Sequence, residues 1–318
     1  MRRAVVTGGA GFVGAHLARA LVERGVDVTC LDIVGPGPLL DGEIRLERCD
    51  VGAWPEVAGA LSAAAPDVVF HSAGLLSATA EQRPQSAYRV NAVGTFNVLE
   101  SARLLGIPRV VLTSTIATYG PGVAERVDER TQQRPTTIYG VSKVFSELLG
   151  EYYERRFGLE FRALRLPSVI GAGRGPGGAS AYSSLLVSEP AVGRPYIAPV
   201  APHTRMPIVY VKDAVGALIA LADAPAGSLT QRTFGQAGLS PTAGEIAAAV
   251  RACVPDAVIE FAPDPAVMAI VDSWPREISG DAALAEWGWC DRFRLPRLVE
   301  DFVREERALL TRTAAQPA

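Results

Sequence analysis

The stretch Val5-Val-Thr-Gly-Gly-Ala-Gly-Phe-Val-Gly14 runs from an apolar, strand-like segment directly into an amphipathic, helix-forming segment. Its glycines include Gly8, Gly11 and Gly14, where a side chain would obstruct a tight turn, the approach of backbone to a pyrophosphate, and the packing of helix on strand. The N–H groups at the start of such a helix face phosphate oxygens. The stretch therefore predicts a turn that binds a dinucleotide.

A single acid, Asp32, ends the next apolar segment, Val26–Leu31. A carboxylate at this place can hydrogen-bond both hydroxyls of the adenosine ribose, and it repels a 2′-phosphate. Ile33 and Val34 follow and offer no cation to such a phosphate. We therefore predict NAD rather than NADP as the cofactor.

Length and composition indicate one soluble unit of enzyme size. The chain has 318 residues, of which 48% are hydrophobic and 20% charged, and its net charge is −3, so it can bury a large core. Because it has no run of Lys or Arg and no apolar stretch of membrane-spanning length, we expect neither nucleic acid nor membrane as a partner. The start, Met1-Arg-Arg, leads into a strand, so we expect a cytoplasmic location. The spacing of the cysteines and histidines predicts no metal site.

Apolar segments alternate with amphipathic ones along the first half of the chain. The predicted strands are Ala4–Thr7, Val26–Asp32, Arg45–Cys49, Val68–His71, Arg109–Ser114 and Phe161–Leu166, and the predicted helices are Phe12–Arg24, Trp54–Ala64, Tyr88–Leu104 and Tyr139–Phe157. This alternation predicts an α/β fold in which a doubly wound parallel sheet of the Rossmann type binds ligands at the carboxyl ends of its strands.

The texture changes at the glycine-rich segment Gly171–Gly178, which predicts the entrance to a smaller α/β lobe that caps the substrate. We expect Ile208–Leu221 to return to the sheet as a strand and a helix, and Leu295–Leu310 to form the last helix of the lobe. The predicted division assigns 1–166 and 207–232 to an NAD-binding domain, 167–206 and 233–310 to a substrate-binding lobe, and 311–318 to a frayed tail.

Candidate catalytic residues follow the fifth predicted strand. That strand delivers Thr113-Ser-Thr115 to the carboxyl edge of the sheet, and Tyr139 and Lys143 share one face of the following helix. A phenol with a pKa near 10 is a poor base at neutral pH, but a nearby ammonium and the positive nicotinamide lower that pKa. We therefore predict that Tyr139 takes an alcohol proton while a hydride moves to NAD.

Together, these motifs resemble the extended short-chain dehydrogenases/reductases, the NAD-dependent epimerase/dehydratase superfamily, from Met1 to about Leu310. The resemblance implies that Thr115 holds the substrate hydroxyl, that Tyr139 is the acid/base, and that Lys143 binds the nicotinamide ribose. It also implies a homodimer that forms through 88–104 and 139–157. The implied cofactor contacts are Gly8, Gly11, Phe12, Val13, Gly14, Asp32, Asp50, Val51, His71, Ser72, Ala73, Gly74, Asn91, Thr113, Ser114, Tyr139, Lys143 and Pro167.

Two of these contacts have an alternative interpretation, since Asp50 can cap a helix and Asn91 can satisfy buried backbone. Ile116 and Ala117 stand where sugar-nucleotide dehydratases carry Asp and Glu, so we do not expect a dehydration. Ser168 stands where nucleotide-sugar enzymes carry the Asn that meets the sugar diphosphate.

Segments in both predicted lobes are similar to short-chain-type L-threonine 3-dehydrogenases. They are Leu75–Thr79, Arg134–Lys143, Glu147–Tyr153, Thr204–Pro207, Asp272–Arg276 and Glu286–Trp289. One departure is Ala181, where the threonine enzymes carry an Asp that could meet the substrate ammonium. The neighbouring segments Leu164–Ser168, Ser188–Gly193 and Pro199–Met206 are similar to D-erythronate-type sugar-acid dehydrogenases.

We therefore expect an NAD-dependent enzyme that oxidises the secondary alcohol of a small carboxylate. L-threonine, oxidised to 2-amino-3-ketobutyrate, is the first candidate and a sugar acid the second. A nucleotide-sugar 4-epimerase and an inactive NAD sensor remain open alternatives. The candidate substrate contacts are Ser77, Thr115, Tyr139, Gly178, Ala179, Ser180, Arg205 and Trp274.

Overall fold

The structure is a computed structural model that describes residues 1–40 and 44–315. Its strands, β1 to β13, are Arg3–Thr7, Asp27–Asp32, Arg45–Arg48, Val68–His71, Arg109–Thr115, Arg126–Val127, Glu160–Leu166, Ser168–Ile170, Tyr196–Ala198, Ile208–Tyr210, Thr233–Gly235, Ile259–Phe261 and Glu277–Ile278. Its α-helices, α1 to α12, are Phe12–Val22, Trp54–Ala64, Ser77–Gln82, Pro84–Ala87, Gly94–Leu104, Ile138–Phe157, Tyr182–Ala191, Val211–Asp223, Ala243–Cys253, Pro265–Asp272, Asp281–Trp287 and Leu295–Ala315.

Seven parallel strands of the described residues form a central sheet in the order β11-β7-β5-β4-β1-β2-β3. Strands β1 and β4 are fully covered on both faces, since apolar cores pack on each side of the sheet. The order confirms the predicted Rossmann-type α/β fold. Because the chain changes direction across the sheet at β1, a crevice opens beyond the carboxyl ends of β1 and β4, where such folds bind ligands.

The sheet differs from the prediction at one edge. Strand β11 pairs with β7 and extends the sheet to Gly235, three residues past the predicted boundary at 232. Strand β10 pairs with β8 in a separate two-stranded sheet, so the expectation that Ile208–Leu221 returns its strand to the central sheet is wrong. The reason lies at Pro167, between β7 and β8: proline has no N–H to donate to a neighbouring strand, and the chain leaves the sheet there.

The residues of the predicted smaller lobe include three mutually packed helices, α7, α9 and α12, and the paired strands β9 and β12. Its apolar side chains, such as Leu186 and Phe302, belong to the same core as one face of the central sheet. The sequence patterns did not indicate α7 or α10. Helix α12 continues to Ala315, so the predicted end at Leu310 is too early, and the last three residues of the predicted frayed tail lie outside the described residues.

Two helices that position the active site also differ in detail from their predictions. The predicted helix Tyr88–Leu104 is helical, but its first part, Tyr88–Val93, is a π-helix that continues into α5. Helix α6 begins at Ile138, one residue early, because the Thr137 hydroxyl accepts a hydrogen bond from the Gly140 N–H at 3.1 Å. In the described part of the chain, no helix is long and apolar enough to cross a membrane.

Candidate active site

The predicted glycine turn joins β1 to α1, and its close contacts leave no room for side chains. Gly8 has φ +69°, and a Cβ there would lie 2.8 Å from the Ala73 backbone nitrogen. A Cβ on Gly14 would lie 2.0 Å from the Gly8 carbonyl oxygen, and one on Gly11 would lie 3.2 Å from it. No side chain caps α1 at Gly11. The N–H groups of its first turn therefore fit a pyrophosphate.

Asp32 ends β2 beside this turn. Its carboxylate accepts hydrogen bonds from the Ala10 N–H at 3.1 Å and the Ile33 N–H at 2.8 Å. These bonds fix the orientation of the carboxylate beside the turn, and its contact with the adenosine ribose stays a prediction. Further along the same edge, Asp50 accepts a hydrogen bond from the Gly52 N–H at 2.9 Å and forms an ion pair with Arg89 at 2.7 Å.

Asp50 does not cap a helix, because the residue at the start of α2 is Ala53. The alternative interpretation of Asp50 is therefore wrong. Val51, its neighbour, is buried, and its carbonyl oxygen accepts a hydrogen bond from Asn97 at 2.8 Å.

His71, at the end of β4, links β1 to α5 through hydrogen bonds of its ring. One ring nitrogen lies 2.7 Å from the Thr7 hydroxyl and the other 3.1 Å from the Thr95 hydroxyl. Burial, and next the charge of Lys143, lower the pKa of His71 to about 3, so the ring is neutral. The side chain of Asn91 accepts a hydrogen bond from the Leu75 N–H at 2.8 Å and donates to its carbonyl at 3.1 Å. Asn91 thus satisfies buried backbone and orders the loop after His71.

A cavity of about 190 Å³, partly open to solvent, lies beyond the carboxyl ends of β4, β5 and β7. It brings together predicted residues from seven separate parts of the chain. They are Phe12, Val13, Ser72, Gly74, Ser77, Thr113, Ser114, Thr115, Tyr139, Lys143, Pro167, Gly178, Ala179, Ser180 and Trp274.

The three predicted catalytic residues meet on one wall of this cavity. The Tyr139 phenol lies near the Thr115 hydroxyl, and the interaction between these two groups lowers the pKa of Tyr139 against the effect of burial. The Lys143 ammonium donates to the Thr113 carbonyl at 2.8 Å and lies 6.0 Å from the centre of the Tyr139 ring. Burial lowers the pKa of Lys143 to about 8, against the charge of Glu147, which raises it.

The predicted lowering of the Tyr139 pKa by Lys143 is wrong for the protein's own residues. Burial raises the pKa of Tyr139 to about 12, and the opposing influence is the interaction with Thr115. The loss of water around the phenolate raises the pKa by more than the interaction with Thr115 lowers it. Proton abstraction at neutral pH therefore depends on every group that favours the phenolate.

Glu147, one helical turn beyond Lys143, is a buried member of the site that the sequence analysis missed. It forms an ion pair with Arg165 at 2.8 Å, and accepts hydrogen bonds from Gln133 at 2.9 Å and from the Ser114 hydroxyl. The signal was available in the spacing, because Tyr139, Lys143 and Glu147 repeat every four residues and share one helix face.

Arg205 does not line the cavity, so the prediction that it contacts the substrate is wrong. Its guanidinium donates to the Ser240 carbonyl and lies 4.0 Å from Glu245, in a separate cleft that His203 and Arg276 also line. The antiparallel bridge between Arg205 and Thr242 directs the side chain there.

Arg174, within the glycine-rich segment, takes the place expected of Arg205. It lines the cavity and donates to the Ser168 hydroxyl at 2.9 Å and the Ser180 hydroxyl at 2.7 Å. Ala181, the position of the missing Asp, is buried and does not line the cavity. Among the described residues, the cavity lining contains no Asp or Glu.

The model of the NAD-dependent epimerase/dehydratase family matches residues 4–235. The chain belongs to this family. It is 36% identical over 305 residues to the mitochondrial L-threonine 3-dehydrogenase of Bos taurus, covering 94% of this chain and 81% of the relative. It is 34% identical over 300 residues to the D-erythronate dehydrogenase of Cupriavidus necator, covering 88% of this chain and 92% of the relative.

Solved structures of similar proteins confirm the fold. The holo form of the GalE-like L-threonine dehydrogenase from Cupriavidus necator matches with a TM-score of 0.90 and 33% identity, over 95% of this chain and 99% of that one. The L-threonine dehydrogenase from Phytophthora infestans matches with a TM-score of 0.90 and 35% identity, over 96% and 99%. The predicted superfamily and both predicted resemblances are therefore confirmed.

Proposed function

We propose that this protein is an NAD-dependent dehydrogenase that oxidises the secondary alcohol of a small hydroxy or amino acid. The observation that carries the proposal is that Thr115, Tyr139 and Lys143 line one cavity, next to the glycine turn. L-threonine is the first candidate substrate, because relatives that bear that activity in their names match almost the whole chain.

The residues present fit NAD. The glycine turn leaves room for the pyrophosphate, Asp32 is bonded to the turn and is the candidate ribose contact, and Lys143 lines the cavity as the candidate contact to the nicotinamide ribose. When bound, NAD⁺ supplies the acceptor for the hydride.

The chain's own residues perform the proton transfer. The Thr115 hydroxyl orients the substrate alcohol toward the Tyr139 oxygen, which takes the alcohol proton as the carbon gives up its hydride and becomes a ketone. Because burial opposes the phenolate, the interaction with Thr115, which lowers the pKa of Tyr139, assists this step. From L-threonine the product is 2-amino-3-ketobutyrate.

A sugar acid is the second candidate, and one observation favours it. The described lining of the cavity holds the cations Lys143 and Arg174 without an acid to meet a substrate ammonium. The D-erythronate dehydrogenase of Cupriavidus necator is a relative of comparable identity.

Steady-state NADH formation tests the proposal with L-threonine, D-erythronate, 3-hydroxybutyrate and UDP-sugars as substrates. We expect Tyr139→Phe to reduce turnover by about 10²–10⁴-fold, because it removes the transferable proton but keeps the ring. NADH binding should be unchanged. Tyr152→Phe, on an exposed part of the same helix, is the matched control and should retain full activity. NAD reduction that survives Tyr139→Phe within a few-fold would refute the assigned base.

We also propose a homodimer that forms through α5 and α6. These neighbouring helices expose apolar side chains, among them Leu104, Phe145 and Leu148, and Leu148 is 58% exposed. An exposed apolar face of this kind is typical of a protein interface. A related threonine dehydrogenase is described as monomeric, so the molar mass in solution has to be measured. The cytoplasmic location and the division into two lobes stay predictions.

A further inference from the structure

Arg174 is a cation whose surroundings do not use its full capacity to donate hydrogen bonds. Its two terminal nitrogens donate to the hydroxyls of Ser168 and Ser180 and to the carbonyl of Val169. A guanidinium has five N–H groups, so two of them have no acceptor among the described residues. The three bonds hold the planar group in a fixed orientation at the wall of the cavity.

All three acceptors are neutral, and no described carboxylate forms an ion pair with Arg174. Burial lowers the pKa of Arg174 to about 10, as expected for a cation withdrawn from water without an anionic partner. Such a group gains most from an anion that can accept its remaining N–H donors, and a carboxylate matches the guanidinium geometry.

The rest of the cavity adds to this preference. Lys143 contributes a second cation to the lining, and the nearest acid behind the wall, Glu147, is already paired with Arg165 at 2.8 Å. An ammonium group on the substrate would therefore meet cations and no free acid among the described residues. Placing such a charge in a partly enclosed cavity is unfavourable.

We propose that Arg174 binds the substrate carboxylate and that the cavity selects short hydroxy carboxylates that lack an ammonium group. The Ser180 hydroxyl, held by Arg174, and the Ser77 side chain line the same cavity and offer further donors. The inference rests on the proposed dehydrogenase function and narrows its substrate class from hydroxy or amino acids to hydroxy acids, which places these ahead of L-threonine.

Kinetics with 3-hydroxybutyrate and its methyl ester separate charge recognition from bracing of the loop. We expect Arg174→Gln to reduce kcat/KM for the acid by about 10- to 100-fold, and to change kcat/KM for the uncharged ester by less than about threefold. Arg174→Lys should fall between, because it keeps the charge but loses the planar fork. The matched control is Arg205→Gln, outside the cavity, which should leave both substrates unaffected. Equal losses for acid and ester would show that Arg174 only supports the loop and would overturn the proposal.

The second comparison addresses the ammonium. We expect the unmodified protein to have a higher kcat/KM for 3-hydroxybutyrate than for L-threonine, and Ala179→Asp, which adds an acid to the lining, to reverse the order. A preference for L-threonine in the unmodified protein would overturn the proposed selectivity.

Binding keeps the inference separate from the proposed function. If the unmodified protein oxidises none of these alcohols, the proposed function fails, and calorimetry on the Tyr139→Phe protein with NADH then tests Arg174 alone. Binding of 3-hydroxybutyrate that is stronger than that of its ester, and that is lost in Tyr139→Phe/Arg174→Gln, supports the carboxylate site. Equal binding of acid and ester overturns it.

Discussion

Replacing Glu147 by Gln should destabilise this protein far more than a single surface charge can. Glu147 and Arg165 are almost fully buried and lie 2.8 Å apart. The substitution keeps the shape of the side chain but removes its charge, so the Arg165 guanidinium stays buried with its compensating anion gone. In the intact pair, burial lowers the pKa of Arg165 while Glu147 raises it. Without that anion, only the unfavourable effect of burial on the charge remains.

The expected loss is about 3–5 kcal/mol of unfolding free energy, the usual cost of removing one partner of a buried ion pair. The matched control is Glu151→Gln on the same helix. Its ion pair with Arg155 is 3.5 Å long and the Arg155 side chain is 69% exposed, so the expected loss is about 0–1 kcal/mol.

Denaturant unfolding of both variants, extrapolated to water, measures these free energies. The double substitution Glu147→Leu/Arg165→Met should recover much of the loss, because it removes both buried charges together. If Glu147→Gln lowers the unfolding free energy by less than about 1 kcal/mol, as the control does, the Glu147–Arg165 pair does not behave as a buried ion pair and the reasoning is refuted.

Three further predictions concern the cofactor, the base and the assembly. Asp32→Ala combined with Ile33→Arg should shift the preference from NAD toward NADP, measured as the ratio of the two kcat/KM values, and equal use of both cofactors by the unmodified protein would contradict the assigned ribose contact. Thr115→Val should move the acid limb of the kcat/KM profile to higher pH, because the interaction with Thr115 lowers the pKa of Tyr139 and its loss raises that pKa; an unmoved limb would show that the limb belongs to another group. Leu148→Glu should convert a dimer into a monomer in sedimentation velocity, and an unchanged dimer would place the interface elsewhere.

The elements that follow simple periodic patterns were predictable from the sequence. The first six predicted strands are all present, with bounds that differ by at most two residues. Strand β11 was not predictable, because its three residues carry no alternating pattern and pair with β7 only after the chain has folded back. Helix α7 lies in a segment rich in serine, with Pro190 near its end, and neither feature favours a helix.

The active site divides in the same way. Tyr139, Lys143 and the glycine turn were identifiable, because helix spacing and the strand-to-helix turn are local. The roles of Arg174 and Arg205 were not, since both are arginines in loops of similar composition and only their hydrogen bonds to Ser180 and Ser240 distinguish them.

The sequence by itself determined the fold class, the glycine turn with Asp32, and the set of groups able to move a proton, because these depend on residues close together in the chain. The tertiary structure alone decided that burial raises the pKa of Tyr139, that Glu147 is matched by Arg165, and that Arg174 faces the cavity without a described acid. Burial and charge pairing depend on which distant segments come into contact, and desolvation acts only once they have done so.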